Sequence, residues 1–142
     1  MIRKILLATL GVFVLWSILD FILHGVLLQS AYQDTMMLWR PMAEMKNGLM
    51  YLVSLISALV FVTIYTRLIS PRGMKQAVSY GVLFGLGAGI SMGYGTYAVQ
   101  PIPYVMAFSW FLGTLVEATL AGMLVGFMIK DEPIEVVEEA TA

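Results

Sequence analysis

Four long apolar runs, separated by short polar breaks, restrict the fold of this chain more than any other feature. The runs cover roughly residues 5–29, 49–69, 78–99 and 105–129. A membrane-spanning helix needs about 20 predominantly apolar residues, so each run is long enough to cross a bilayer. The chain is 60% hydrophobic and only 12% charged, with a mean hydropathy of +0.87, which is typical of integral membrane proteins. The sequence therefore predicts an all-α membrane fold, a four-helix transmembrane bundle within residues 1–130.

The distribution of positive charge predicts the orientation of these helices. Lysine and arginine accumulate in short cytoplasmic loops. The N-terminus, the second break and the end of the fourth run together carry six of these residues, whereas the first break carries two and the third carries none. Both termini are therefore expected in the cytoplasm, which makes the chain a multi-pass protein of the inner (cytoplasmic) membrane. The six residues are Arg3, Lys4, Arg67, Arg72, Lys75 and Lys130.

The two ends of the chain need separate interpretations. The first run follows basic residues, as a signal peptide does, but it is too long and lacks an A-x-A-like cleavage site, so a retained span is expected. Residues 131–142 hold five of the nine acidic residues and predict a disordered, acidic cytoplasmic tail. The chain contains no cysteine, which excludes disulfides, thiolate metal ligands and cysteine nucleophiles. Its few basic residues lie scattered at span ends and predict no nucleic-acid binding.

One aspartate, one histidine and one glutamate lie inside the predicted spans. Asp20 and His24 occur in the first run, in WSILDFILHGVLL, and Glu117 lies near the middle of the fourth. Residues four apart share a helix face, so Asp20 and His24 are expected to be neighbours, with Glu117 as a third member. Such a buried Asp/His/Glu cluster could bind a divalent metal or pass a proton. It could equally be a hydrogen-bonded cluster that fixes the register of the helices.

Small residues recur every four positions in the third and fourth runs. Glycine at this spacing lets two membrane helices approach closely, so these glycine-zipper stripes are expected to pack against each other, within one chain or across a dimer. The stripe of the third run is Gly81, Gly85, Gly89 and Gly93, and that of the fourth is Thr114, Ala118, Gly122 and Gly126.

Two further patterns each have a chemical and a structural interpretation. GISMG matches the G-x-S-x-G motif of serine hydrolases at Ser91, which His24 could serve as a base, but a glycine stripe produces the same match wherever a serine falls between glycines. The first break contains four methionines, which could bind copper(I) or cover an apolar surface on the membrane or a partner. They are Met36, Met37, Met42 and Met45. Tyr32, Trp39 and Trp110 are expected as anchors at the membrane interface.

The combination of Asp20 and His24 at the end of the first span, the following segment LWRPMAEM, and PIP ahead of a span with Trp110 and Glu117 resembles a known group of proteins. This group comprises small four-helix bacterial integral membrane proteins classified as domains of unknown function. The resemblance covers most of the chain and implies the four-helix fold. It implies no activity.

These observations favour a small polytopic membrane protein that is not an enzyme and serves as an accessory or oligomeric membrane component. Its expected partners are the lipid bilayer and either further copies of itself or a larger membrane complex. The alternative is a small transporter, or a protein that binds a metal or a proton, using Asp20, His24 and Glu117. A remote alternative is an intramembrane serine hydrolase. No cofactor is required by the sequence, and a divalent metal belongs only to the first alternative.

Overall fold

The computed structural model describes residues 1–131 and contains four helices that are long and apolar enough to span a membrane. They are Ile2–Leu27, Asn47–Leu68, Met74–Val99 and Tyr104–Met128. The prediction of an all-α chain with four apolar helices long enough to span a membrane is confirmed, and the described residues form no strand. The predicted acidic tail falls outside the described residues, apart from its first member, Asp131.

The helical elements are named in chain order. They are α1 (Ile2–Asp20), α2 (Gln29–Asp34), α3 (Asn47–Leu68), α4 (Met74–Ile90), α5 (Thr96–Val99) and α6 (Tyr104–Met128). Because the four spans alternate in direction, residues 28–46 and 100–103 lie at one end of the bundle, which we call the loop end. The chain start, residues 69–73 and residues 129–131 lie at the opposite end, which we call the tail end.

Two of the spanning helices change geometry near the loop end. α1 continues into a π-helical segment, Phe21–Leu27, and α4 into another, Ser91–Gly95. In a π-helix each amide bonds to the carbonyl five residues earlier, as Leu28 N does to Leu23 O at 2.9 Å. Apolar periodicity did not predict these segments, because it reports which faces are buried and not which carbonyl each amide selects. The first of them carries His24.

α4 packs against α6 along the predicted stripe of small residues, within one chain. A Cβ atom placed on Gly85 would lie 2.9 Å from Leu115 Cα, and one on Gly89 would lie 2.8 Å from the carbonyl oxygen of Phe111. Any side chain at these positions would therefore push the two backbones apart. Gly81, Gly93, Gly122 and Gly126 are equally crowded across this contact, and Ala118 meets both Gly81 and Gly85.

The remaining helices attach to this pair unevenly. α1 packs on α6, and α3 packs on α1. Towards the tail end α3 also contacts α4. The ring of Phe61 in α3 lies 4.5 Å from the ring of Tyr80 and 5.1 Å from that of Phe84. The Tyr80 hydroxyl donates a hydrogen bond to the Phe61 carbonyl at 3.0 Å. Towards the loop end, by contrast, residues 47–57 of α3 include no buried residue. The bundle is thus tightly closed at its tail end and open beside α3 at its loop end.

An ion pair closes the tail end. The Arg72 guanidinium contacts Asp131 Oδ1 through Nη2 at 2.6 Å and Nε at 2.8 Å, while the Arg72 amide donates to Asp131 Oδ2 at 2.7 Å. The Asp131 amide donates back to the Arg72 carbonyl at 3.0 Å. These hydrogen bonds from Arg72 lower the pKa of the Asp131 carboxyl below its ordinary value. Asp131, predicted as the first residue of a disordered tail, is instead fastened to the turn between α3 and α4.

Candidate functional site

The polar side chains of the loop end converge on the hydroxyl of Tyr32 in α2. Trp110 Nε1 donates to this oxygen at 3.1 Å, and His24 Nδ1 lies 2.6 Å from it. An indole N–H can only donate, so the Tyr32 oxygen accepts a hydrogen bond from Trp110. The Tyr32 hydroxyl can in turn donate a hydrogen bond to His24 Nδ1. These partners assign the remaining proton of a neutral His24 ring to Nε2. Burial raises the pKa of Tyr32, which keeps its hydroxyl protonated and able to donate.

Asp20 faces the other side of the His24 ring, as the spacing of four residues predicts. His24 Nε2 lies 3.8 Å from Asp20 Oδ1, which is longer than a hydrogen bond but within the range of an electrostatic contact. The His24 side chain is 35% exposed and the Asp20 side chain is 48% exposed. A row of polar side chains therefore runs from Trp110 through Tyr32 and His24 to Asp20, and its last two members are partly exposed.

Aromatic rings pack over these polar side chains and hold the long connection between α1 and α3 against α6. The ring of Trp39 lies 5.4 Å from Tyr32 and 6.0 Å from Trp110, and its Nε1 donates to the Thr35 hydroxyl at 2.9 Å. We call His24, Tyr32, Trp39 and Trp110 the loop-end cluster. Trp110 is only 6% exposed, so the prediction that it anchors the protein at the membrane interface is wrong. The folded connection covers it with Tyr32 and Trp39, which the sequence pattern treated as separate interface residues.

Glu117 lies deeper, at the contact between α6 and α1. Its backbone carbonyl accepts a hydrogen bond from Trp16 Nε1 at 3.0 Å, and its carboxyl lies near that of Asp20. Its Oε1 atom is buried and has no hydrogen-bond partner among the described residues. A buried oxygen without a partner is unfavourable, because the hydrogen bonds it made to water in the unfolded chain are not replaced.

The structure does not form the predicted buried metal cluster of Asp20, His24 and Glu117. Residues 1–131 contain no group of three histidine, cysteine, aspartate or glutamate side chains that could hold a metal ion. His24 Nδ1 is bonded to Tyr32, and both Asp20 and His24 are partly exposed rather than buried. The metal-binding alternative is therefore not supported, whereas proton transfer along these groups stays a prediction.

The hydrolase alternative lacks its required geometry. Ser91 is exposed, in the π-helical segment that follows α4. The two ring nitrogens of His24 face Tyr32 and Asp20, so neither is available as a base for Ser91. The G-x-S-x-G match is accordingly explained by the glycine stripe.

The methionines of the first connection are mostly exposed, which favours their interpretation as an apolar surface. Met36, Met37 and Met42 are 72%, 91% and 83% exposed, and Met45 is 37% exposed. Exposed thioethers on short 3₁₀ turns can cover lipid or a partner surface.

Sequence analysis missed Tyr32 as the partner of His24 and Trp110 as the second partner of Tyr32, since residues eight and 78 positions apart have no fixed spatial relation before the chain folds. It also missed that Asp131 belongs to the folded bundle. No protein-family model, curated protein or solved structure significantly matches this chain. Its function is therefore inferred from the geometry of the spans, the loop-end cluster and Glu117.

Proposed function

We propose that this chain is a non-enzymatic component of the bacterial cytoplasmic membrane that assembles with further copies of itself through the loop-end half of α3. One observation carries this proposal. Residues 47–57 of α3 contain no buried residue, although they belong to an apolar helix that is long enough to span a membrane. Within the chain, this half-helix is held chiefly by α1, where Tyr51 meets the edge of Phe13 at 6.5 Å.

An unpacked apolar half-helix is well suited to associate with another helix in a membrane. Lipid tails are as apolar as leucine, so helices associate there through close packing of their surfaces. The same segment on two copies would form a twofold-symmetric contact, the commonest arrangement in homo-oligomers. The glycine stripes of α4 and α6 are already occupied by each other, which leaves α3 as the more accessible helix.

The loop-end cluster supports a structural rather than a chemical role for this part of the molecule. The indole N–H groups of Trp39 and Trp110 and the hydroxyl of Tyr32 all have partners within the chain. Together they hold the connection between α1 and α3 against α6. A fixed connection would set the position at which α3 emerges beside the bundle.

The orientation that we propose places the tail end in the cytoplasm. The six basic residues counted above all belong to the tail-end portion of the chain, which fits the cytoplasmic excess of lysine and arginine. The absence of cysteine permits a direct test with single-cysteine variants. A membrane-impermeant maleimide should label Met42→Cys in intact spheroplasts and label Ser70→Cys only after lysis. The opposite labelling pattern would contradict the orientation.

The same strategy tests the assembly. Cysteines introduced at Val53 and Ile56, on the exposed loop-end half of α3, should form disulfide-linked dimers when native membranes are oxidised. Leu112→Cys is the matched control, because Leu112 is an exposed residue in the loop-end half of another helix, α6. The products are measured by non-reducing gel electrophoresis and mass spectrometry.

We expect an adduct of twice the monomer mass at the α3 positions and little at the control position. Equal cross-linking at Leu112 would indicate random collision and contradict the proposed interface. Lack of cross-linking at both α3 positions, with the cysteines shown to be reactive towards a small maleimide, would also overturn it.

A further inference from the structure

The tail end of the bundle carries five exposed basic side chains, which we call the basic ring. Each of the four spanning helices contributes at least one of them, within two residues of its tail-end terminus. The basic ring is Arg3, Lys4, Arg67, Lys75 and Lys130. Within residues 1–131 the tail end has one carboxyl side chain, that of Asp131, and Arg72 already binds it. The basic ring therefore has no acidic partner in the described part of the chain.

The loop end lacks such an excess of charge. Its exposed charged residues are Arg40 and Lys46, accompanied by Asp34 and Glu44. Positive and negative side chains balance there, whereas six basic residues accompany one acidic residue at the tail end of the described chain. A negatively charged partner is therefore attracted to the tail end rather than to the loop end.

Exposed apolar side chains accompany the basic ring on every spanning helix. Each helix has a large, exposed apolar residue within three positions of its basic residue: Leu6, Leu68, Met74 and Phe127. Leu68 and Phe127 are about three-quarters exposed, at 77% and 76%. A soluble anion or a polar peptide would leave these apolar side chains in water. A phospholipid would cover them with its acyl chains and present its phosphate to the neighbouring cation.

The position of the basic ring along the helices matches the depth of lipid headgroups. The ends of a spanning helix emerge from the hydrocarbon into the headgroup region, where lysine and arginine extend their charged groups while their stems stay on apolar surface. All five residues lie at such an end, and they come from all four helices. The charges consequently surround the bundle, where several lipids can reach them, and do not form a single pocket.

We propose that the basic ring binds anionic phospholipids, with the headgroup phosphates on the basic side chains and the acyl chains along the apolar residues beside them. Clusters of about four to eight basic residues next to spanning helices are typical of sites for anionic lipids. This inference rests on the proposed membrane location of the chain. It depends neither on assembly through α3 nor on which side of the membrane the tail end faces.

The test compares two lipids that differ in headgroup charge. The full chain is purified in detergent and mixed with equal amounts of phosphatidylglycerol, which is anionic, and phosphatidylcholine, which is zwitterionic, with identical acyl chains. Native mass spectrometry counts the bound molecules of each lipid. We expect phosphatidylglycerol to be enriched at least about threefold on the wild-type protein, and we expect added salt before the measurement to reduce the enrichment by screening.

Two double variants locate the binding surface. Arg67→Gln with Lys75→Gln removes two charges of the basic ring and should lower the enrichment at least about twofold. Neither side chain makes a hydrogen bond or ion pair within residues 1–131, so the fold should not change. The matched control is Arg40→Gln with Lys46→Gln, which removes two exposed charges from the loop end and should bind lipid as the wild type does.

The acidic residues after Asp131 are the other groups that could occupy the basic ring. The sequence places four glutamates in residues 132–142, and a full-length variant with all four changed to glutamine separates the two partners. Enrichment of phosphatidylglycerol on both the wild type and this variant supports the lipid. Enrichment on the variant alone would assign the basic ring to the chain's own glutamates and overturn the proposal.

Three further outcomes would also overturn it. They are equal binding of the two lipids by the wild type, unchanged enrichment in the Arg67 and Lys75 double variant, and an equal loss of enrichment in the loop-end control. None of these results would alter the cross-linking of α3 or the cysteine labelling, so the proposals can fail separately.

Discussion

At the scale of single residues, the loop end depends on the hydroxyl of Tyr32. This oxygen is shared by a donor from α6, Trp110 Nε1, and by the ring of His24 from the π-helical end of α1. Neither partner has another hydrogen bond from that nitrogen within the described residues. The ring of Trp39 packs edge-on against the ring of Tyr32 at 5.4 Å. One oxygen atom therefore joins the π-helical end of α1 and α2 to the distant helix α6.

Removal of this hydroxyl tests its structural role. We expect Tyr32→Phe to lower the free energy of unfolding by about 1–3 kcal/mol, because two polar nitrogens would lose their partner in a partly buried place. Thermal unfolding in detergent, followed by tryptophan fluorescence, measures the change. Tyr51→Phe is the control, since Tyr51 is 60% exposed, and it should change stability by less than about 0.5 kcal/mol. An equal effect of the two substitutions would show that the Tyr32 hydroxyl does not fasten the loop end.

At the scale of elements, the contact between α4 and α6 dominates the bundle. Its glycines bring the two backbones so close that a single added Cβ atom would collide with the partner helix. The two faces of α4 differ sharply in this respect. Gly85 faces Leu115, whereas a Cβ on Gly87, half a turn away, would meet nothing within 4 Å. Glycine therefore permits close packing on the α6-facing side of α4, whereas on the opposite side it makes no contact with another helix.

This difference predicts opposite effects for the same substitution. Gly85→Ala should lower the free energy of unfolding by about 1–3 kcal/mol, since overpacking forces the helices to shift. Gly87→Ala should raise it by about 0.5–1 kcal/mol, because alanine is the better helix former and no contact is disturbed. Unfolding of both variants in the same detergent, followed by circular dichroism, provides the comparison. Equal changes for the two variants would contradict the packing of α4 on α6 through its glycine face.

At the scale of the whole molecule, the Arg72–Asp131 ion pair joins the middle of the chain to the end of its described part. The pair fastens the turn between α3 and α4 to the end of α6, across 59 residues of sequence. Arg72 also donates to the Thr66 carbonyl at 3.3 Å, which connects the pair to the last turns of α3. The tail end is therefore closed by polar contacts, in addition to the aromatic packing around Phe61.

The lowered pKa of Asp131 makes this contribution dependent on pH. The carboxylate is more favourable in the folded than in the unfolded chain, so the stabilisation is present above the unfolded pKa and is lost as the pH falls through the folded pKa. Wild type should melt at a higher temperature than Asp131→Asn at neutral pH. The gap should narrow as the pH falls below about 4, the ordinary pKa of aspartate. Melting temperatures measured between neutral and acidic pH check this expectation, and a gap that stays constant on acidification would contradict it.

The sequence by itself predicted four apolar helices long enough to span a membrane, because the length and composition of each apolar run are local properties of the chain. It also predicted which faces of the third and fourth spans carry small residues, and that Asp20 and His24 are neighbours. Both predictions depend only on helix geometry, because residues four apart lie on the same face of a helix. The predicted ends of the spans lie within a few residues of those in the structure.

Only the tertiary structure decided which distant groups meet. It gave His24 a partner in Tyr32, covered Trp110 with the connection after α1, and joined Arg72 to Asp131. It also left α3 half unpacked. Local periodicity states which side of a helix turns inwards, but the rotation and depth of each helix result from the packing of all four together. The partners of a buried polar side chain are therefore settled only when the bundle has formed.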